Sequence, residues 1–485
     1  MLRKIAIVLG LAVTMLVVAG GALYLAGARI QVDGGGGVHV AFPKSAEDQA
    51  REVARHREAQ RAQAASSVPA AAQPSPSIPA APAVPAVSAP TEKPDPDPDP
   101  LYWTDFRGPR RDGTYAERPV MLNWPAGGLK PLWKQPIGRG FASFVAANGR
   151  AFTIEQRGPQ EVASAYDIAT GRELWTTGWT ATFHELMGGD GPRATPTWHQ
   201  GRVYVLGATG ELRALEDSTG RTIWRTNILE DAGATNLQWG MAAAPLIVDD
   251  NVVVLPGGRN GQSVVAYNRA TGKRAWAALN DQASYSSPML DTIGGVRQIV
   301  IFTASRLAGI TPDRGELLWE FPWKTQYDVN ASQPLLVGSN RVFISTGYGS
   351  GAALIELTRG GDGAFTVREV WRTNRMKNQF TSSVLHEGFI YGLDESILAC
   401  IDAATGDLKW KGGRYGYGQV MLTGGHLIVL TEEGDLALVR ASPDRHQEIV
   451  RFAVLDGKTW NHPAISGGYL LVRNINEMAA FNLRK

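Results

Sequence analysis

Cysteine is almost absent: Cys400 is the only one in 485 residues. That excludes an intramolecular disulfide and a haem-attachment Cys-x-x-Cys-His pair. It also leaves no cysteine near the N-terminus for lipidation. Cys400 itself lies on an apolar strand pattern, where an inert buried thiol is expected. Charge is scarce too, at 19% of residues with a net charge of +2, and no basic stripe interleaved with aromatics marks a nucleic-acid surface. The eight histidines form no His-Glu-x-x-His or similar metal spacing, and His184-Glu185 reads as a pair of exposed loop residues. Gly347-Tyr-Gly-Ser-Gly351 is not a Gly-x-Ser-x-Gly elbow, and Gly188-Gly-Asp-Gly-Pro192 precedes no helix that could cradle a phosphate.

What the chain has in quantity is glycine and tryptophan, 55 and 14 residues. They recur together in Ala165-Tyr-Asp167-Ile-Ala-Thr170-Gly171-Arg-Glu-Leu-Trp175. Copies end at Trp224, Trp276 and Trp410, and a worn copy that keeps only Gly315 and the indole ends at Trp319. Each reads as an apolar strand, a turn closed by Asp or Asn and Thr with a glycine at positive φ, and a second strand carrying one large indole. Trp133, Trp371 and Phe452 complete the series, in which neighbours are 39 to 52 residues apart. A period of about 40 to 50 residues of short strands is that of propeller blades. Glu477–Leu483 looks like a first half-hairpin and Leu129–Lys134 like a second half. Joining them makes a closing blade from both ends of the domain and removes an exposed edge. The expectation is an all-β, eight-bladed β-propeller of four-stranded antiparallel sheets with a composite closing blade. Seven blades are the alternative, since the Trp371 and Phe452 units are degenerate.

Three segments are expected. Residues 1–29 carry Arg3 and Lys4 before an uncharged apolar run from Ile5 to Ala28, long enough for a transmembrane helix of about 20 residues. They read as a signal anchor, or as a signal peptide cut after Ala26-Gly-Ala28. Residues 30–100, with a Gly34–Gly37 run, a charged Ala-rich stretch at 45–65 and a Pro/Ala tract ending Asp95-Pro-Asp-Pro-Asp-Pro100, read as a disordered stalk or spacer with at most a lone exposed helix. Residues 101–485 are the propeller, a ring of sheets that escapes the size limit of a single core, roughly 250 to 300 residues.

The Ala-x-Asp-x-x-Thr-Gly-x-x-x-Trp pattern of 165–175 resembles the tryptophan-docking motif of the pyrroloquinoline quinone (PQQ) repeat superfamily. Its members include PQQ-dependent alcohol dehydrogenases and outer-membrane-protein assembly factors of the BamB kind. The resemblance covers about 129–485 and implies an eight-bladed propeller with each Trp docked between adjacent sheets. Trp103-Thr-Asp-Phe106-Arg-Gly-Pro-Arg-Arg-Asp-Gly113 is similar to the lead-in of many PQQ-like repeat proteins. For a dehydrogenase the resemblance implies a disulfide over the quinone, a flat Trp beneath it, a catalytic Asp, and Ca²⁺ held by Glu, Asn and Asp. Trp239 matches the flat Trp. Where the Asp is expected stands Ser284-Tyr285-Ser286-Ser287-Pro288, with Asp281 just before it; Asn260 and Glu211 sit only loosely where oxygen ligands would come.

At each expected start of an inner strand stand residues able to face the central channel. They are Phe141 and Ser143, Arg193 and Thr195, Trp239, Tyr285 and Ser286, Asn330 and Ser332. The series continues with Lys377, Asn378 and Ser382, then Arg414, Tyr415 and Gln419, then Trp460, Asn461 and His462. Arg193, Trp239, Asn330, Lys377, Arg414, Trp460 and Asn461 are the candidate ligand residues, suited to a flat, anionic, polar molecule such as a quinone tricarboxylate or a sugar acid. Departures from the dehydrogenase pattern outnumber matches. The expectation is therefore a non-catalytic scaffold without catalytic or metal-binding residues, tethered to a bacterial inner membrane with its propeller in the periplasm, or secreted after cleavage. Its partner would be a protein or a membrane-associated assembly. The alternative is a PQQ-binding quinoprotein, with Ca²⁺, that oxidises alcohols or sugars.

Overall fold

The computed structural model describes residues 28–41, 44–66 and 102–485. The expected membrane segment, residues 1–27, and the Pro/Ala tract within 67–101 lie outside the described residues. Among the described residues no helix is long and apolar enough to cross a membrane.

Residues 133–485 form eight four-stranded sheets, each strand antiparallel to the next. Blades 1 to 7 run in chain order over 145–180, 197–227, 246–278, 289–322, 335–373, 384–414 and 419–453. Blade 8 takes three strands from 464–482 and its outer strand from Trp133–Pro136, with Ala480 opposite Trp133. Both ends of the domain therefore close the ring, and eight blades rather than seven is the count. The first strands of neighbouring blades touch one another, so they form the inner wall.

The repeat explains how blades dock. Asp167 Oδ1 accepts from the Thr170 amide and hydroxyl at 2.8 and 2.7 Å, which closes the turn and leaves Gly171 at φ 70°. A Cβ there would stand 2.7 Å from the indole of Trp133, so only glycine lets the ring lie on the turn. The same indole donates to Ile168 O at 2.8 Å. Trp175, Trp224 and Trp410 repeat the arrangement on Asp217 O, Arg269 O and Ser442 O at 2.8 to 3.0 Å. Trp371, from a degenerate unit, docks on Ala403 O at 3.1 Å. Trp319 differs: its indole donates within its own sheet to Gln298, over Gly309. The next blade offers no Asp-Thr-Gly turn, because its second hairpin is lengthened to Gly351–Arg359 and Phe365–Thr373.

Three segments dress the ring. The lead-in of 102–124 crosses one end of the channel. Its buried Arg111 donates to Pro288 O at 2.8 Å and pairs with Asp105 at 2.8 Å, while Arg107 donates to Ser383 O at 2.6 Å. Strand β3 (Thr114–Tyr115) adds in parallel to the first strand of blade 7.

Residues 30–41 and 46–66, expected as stalk, carry secondary structure. Strands β1 (Arg29–Val32) and β2 (Val38–Ala41) make a hairpin, and helix α1 (Ala46–Ser66) lies on blades 8 and 1. Its buried face, Gln49, Val53 and Arg57, has a four-residue spacing. Gln49 Nε2 donates to Ile137 O at 2.8 Å. Arg57 donates to Pro136 O at 2.8 Å and lies over the Tyr166 ring, 4.9 Å from its centroid. The docking face is polar, which is why a search for an apolar stripe leaves this helix exposed.

Candidate functional site

A cavity of about 630 Å³ occupies the channel. The lead-in closes one end, contributing Phe106, and the tip of the β1–β2 hairpin covers the other. Aromatic rings at the loop-to-inner-strand junctions make its wall. Phe141 and Phe380 flank Trp460 at centroid distances of 5.0 and 4.6 Å, and Trp239 is tilted against Tyr285 at 5.6 Å. Tyr327 and Tyr348 meet edge to face at 5.5 Å.

Arg193 is the cation of this wall. It donates to Gly189 O at 2.6 Å and to Gly191 O, and lies over the rings of Phe183 and Phe141 at 4.5 and 5.7 Å. It has no ion pair among the described residues. Burial pushes its guanidinium down to about 10, against the pull of Glu185 and Asp190. Burial likewise pushes the Tyr285 hydroxyl up to about 12. His462 forms part of the floor; its ring nitrogens face Pro463 O at 2.7 Å and Val420 O at 3.2 Å.

Of the seven expected ligand residues, Arg193, Trp239 and Trp460 converge on the cavity. Asn330 does not. It is fully buried, donates to Thr303 O at 2.8 Å and accepts from Thr346 at 2.9 Å. Asn461 is buried and donates to Ala142 O at 2.8 Å. Lys377 pairs with Glu395 at 2.9 Å, and Arg414 is exposed and donates to Ser396 at 2.7 Å. The polar residues of the inner strands bind blade to blade instead. Ser143 N donates to Thr195 Oγ1 at 2.9 Å, Ser287 N to Gln333 Oε1 at 2.6 Å and Gln333 N to Ser382 Oγ at 3.0 Å. Buried strand ends need partners, and the neighbouring blade supplies them.

Sequence reasoning missed Phe380, Tyr417, Glu432 and Lys458. A signal for one of them was present: Gln379-Phe380 repeats the Gln238-Trp239 pair at the same junction. Glu432 carries no motif, yet it accepts from Trp460 Nε1 at 2.9 Å and from Tyr417 N at 3.1 Å.

The donor set does not fit a quinone held with calcium. Asp33 is the single carboxylate lining the cavity among the described residues, and it accepts from Gly35 N and Gly37 N of its own turn at 2.9 and 2.6 Å. Asp281 is bound by Arg306 at 2.6 and 2.8 Å, away from the cavity. Glu211 pairs with Arg213 at 2.9 Å, and Asn260 sits in a turn at φ 58°. Among the described residues no group of three or more His, Cys, Asp or Glu is arranged to hold a metal ion.

A family model described as outer membrane protein assembly factor BamB matches residues 159–412, just over half of the chain. The chain belongs to this family of PQQ-repeat propellers. Among curated relatives, BamB of Bordetella pertussis is 21% identical over 309 residues, 62% of this chain and 72% of that protein. The quinohemoprotein alcohol dehydrogenase ADH-IIG of Pseudomonas putida is 30% identical over 156 residues, which are 31% of this chain but 21% of the dehydrogenase. The chain thus spans about a fifth of the length of that relative. The solved structure of BamB from Moraxella catarrhalis aligns with a TM-score of 0.51 at 14% identity, covering 73% of this chain and 97% of that one. At that identity the likeness shows the fold alone.

Proposed function

We propose that this BamB-family propeller is an extracytoplasmic, membrane-tethered scaffold that binds a protein partner and catalyses nothing itself. The chemistry of the cavity carries this reading: besides aromatic rings, amides, hydroxyls and one arginine its lining holds His462, whose ring nitrogens face main-chain oxygens, and Asp33, whose carboxylate is bound by its own turn, so neither stands free as a general base. The rim supports it too. Met187 and Tyr327, 47% and 59% exposed, line the cavity mouth with the hairpin, and Leu186, the chain neighbour of Met187, is 82% exposed, apolar surface that water alone leaves unsatisfied. The apolar run Ile5–Ala28 and the Pro/Ala tract supply the tether and the reach.

A photo-crosslinking side chain at Leu186 or Tyr327, in cells that make the full chain, tests the proposal. A discrete protein adduct is expected at both positions. The scaffold reading falls if neither yields an adduct while the protein with PQQ and Ca²⁺ reduces a dye on adding an alcohol. The second reading, quinone binding without turnover, is favoured by the unpaired Arg193 beside Trp239. Saturable quenching of tryptophan fluorescence by PQQ that R193A abolishes would support it.

A further inference from the structure

The turn over the cavity is held through its main chain. Gly34 N donates to Glu432 Oε1 at 2.8 Å, and Val32 O accepts from Lys458 Nζ at 2.8 Å. Between these bonds the Tyr417 ring lies so close to Gly34 that an added Cβ would overlap its Cβ, Cγ and Cδ2 atoms. One acceptor, one donor and one aromatic face thus grip a glycine turn, and none of them reads a side chain of it. All three come from the loops of blades 7 and 8, and their positions are fixed independently of the turn. Glu432 is oriented by Trp460 Nε1 and Tyr417 N, and Lys458 also donates to Met187 O at 3.1 Å and lies 4.3 Å from the Trp460 ring centroid. Asp33 is occupied by its own turn, so the hairpin arrives as a preformed shape.

Groups that recognise a backbone shape cannot tell a segment of their own chain from the same shape on another. We propose that the channel mouth is a recognition site for a glycine-containing tight turn of a protein partner, and that the chain's own Asp33–Gly37 turn fills it until the partner displaces it. The inference rests on the partner-binding reading above and adds the surface and the shape recognised. The cis turn, a few residues from the docked helix α1, competes at an effective concentration on the order of millimolar. A free turn of equal intrinsic affinity therefore binds the resting protein only weakly, and binds freely once the cis turn is expelled.

The test uses the full chain and a fluorescent, disulfide-cyclised peptide of residues 31–39 as probe. Gly34→Val expels the cis turn, because its side chain cannot share the space of the Tyr417 ring. The variant is expected to bind the peptide at least about tenfold more tightly than the parent protein. Adding Lys458→Met or Tyr417→Ala should remove that gain. Equal binding by parent and variant, or none by Gly34→Val with an unchanged circular dichroism spectrum, overturns the proposal. Crosslinking at Leu186 reads partner binding separately. An adduct without peptide binding removes turn recognition alone, whereas no adduct at Leu186 or Tyr327 together with PQQ-dependent dye reduction removes the scaffold reading and this inference with it.

Discussion

The indole of Trp175 in blade 1 donates its Nε1 proton to the main-chain oxygen of Asp217 in blade 2, at 2.8 Å. Its ring also covers Gly220 of the same turn and packs against Phe152 at 5.9 Å. One side chain therefore joins two sheets by area and by a directed bond. Trp175→Ala should cost about 3–5 kcal/mol, the range for truncating a buried aromatic. Trp175→Phe keeps most of the area and leaves the Asp217 oxygen unpaired, for about 1 kcal/mol of the bond. Trp276 makes the useful control, since its Nε1 has no hydrogen-bond partner; Trp276→Phe should cost clearly less than Trp175→Phe. Urea unfolding of the four proteins decides the matter.

The ring was legible because its signal is repeated. Each Thr-Gly…Trp unit states the same contact, and the unpaired half-hairpins at Leu129–Lys134 and Glu477–Leu483 reveal how the ring closes. The cavity was half legible for a physical reason. Trp239 and Trp460 are large rings at strand starts, which a wet channel has little reason to carry. Asn330 and Asn461 share those positions but serve backbone groups of neighbouring blades, a distinction that depends on side-chain direction and not on residue type. The hairpin cap and helix α1 were not legible. Their docking uses main-chain atoms and buried Gln49 and Arg57, which composition reads as solvated.

Helix α1 should depend on Arg57. Its guanidinium is 2% exposed and stands 3.4 Å from Glu173, with further bonds to Gln135 at 3.0 Å and Pro136 O at 2.8 Å. Arg57→Ala forfeits bonds to charged groups worth about 1.5–3 kcal/mol each, while Glu173 keeps Arg157 at 2.6 Å. The ring should therefore persist while the helix lifts. Amide exchange in 46–66 should accelerate at least about tenfold, equivalent to about 1.4 kcal/mol, with blade 3 unchanged. Exchange that stays at the parent rate would mean that Gln49 and Val53 suffice.

His462 should make stability fall on acidification. Burial, and then the nearby Arg107, push its imidazole down to about 3 from an ordinary 6.5. Above pH 6.5 the ring is neutral in both states and contributes no slope. Between pH 6.5 and about 3 the unfolded chain takes up a proton that the folded one refuses, so stability is lost as pH falls. His462→Gln should flatten denaturation midpoints across that window relative to the parent protein. An imidazole resonance that titrates near 6.5 in the folded protein would refute this.

Cys400 offers a reporter of one blade. It lies on the third strand of blade 6 opposite Trp410, fully buried, and burial pushes its thiol up to about 12. A thiol at that value is almost wholly protonated at pH 8, and the thiolate is the reacting form. The native protein should therefore leave an aromatic disulfide reagent uncut at pH 8 for hours, and release one equivalent once unfolded in urea. As the chain's single cysteine it gives an unambiguous signal. Its position also lets the rate separate two kinds of opening. If blade 6 opens only with the whole ring, the labelling rate should follow the global unfolding midpoint as urea rises. If labelling runs ahead of that midpoint, blade 6 opens by itself, and the Trp410 contact to Ser442 O at 2.8 Å would be the joint that gives way. Trp410→Phe should then advance labelling further, while Trp175→Phe, on the far side of the ring, should not.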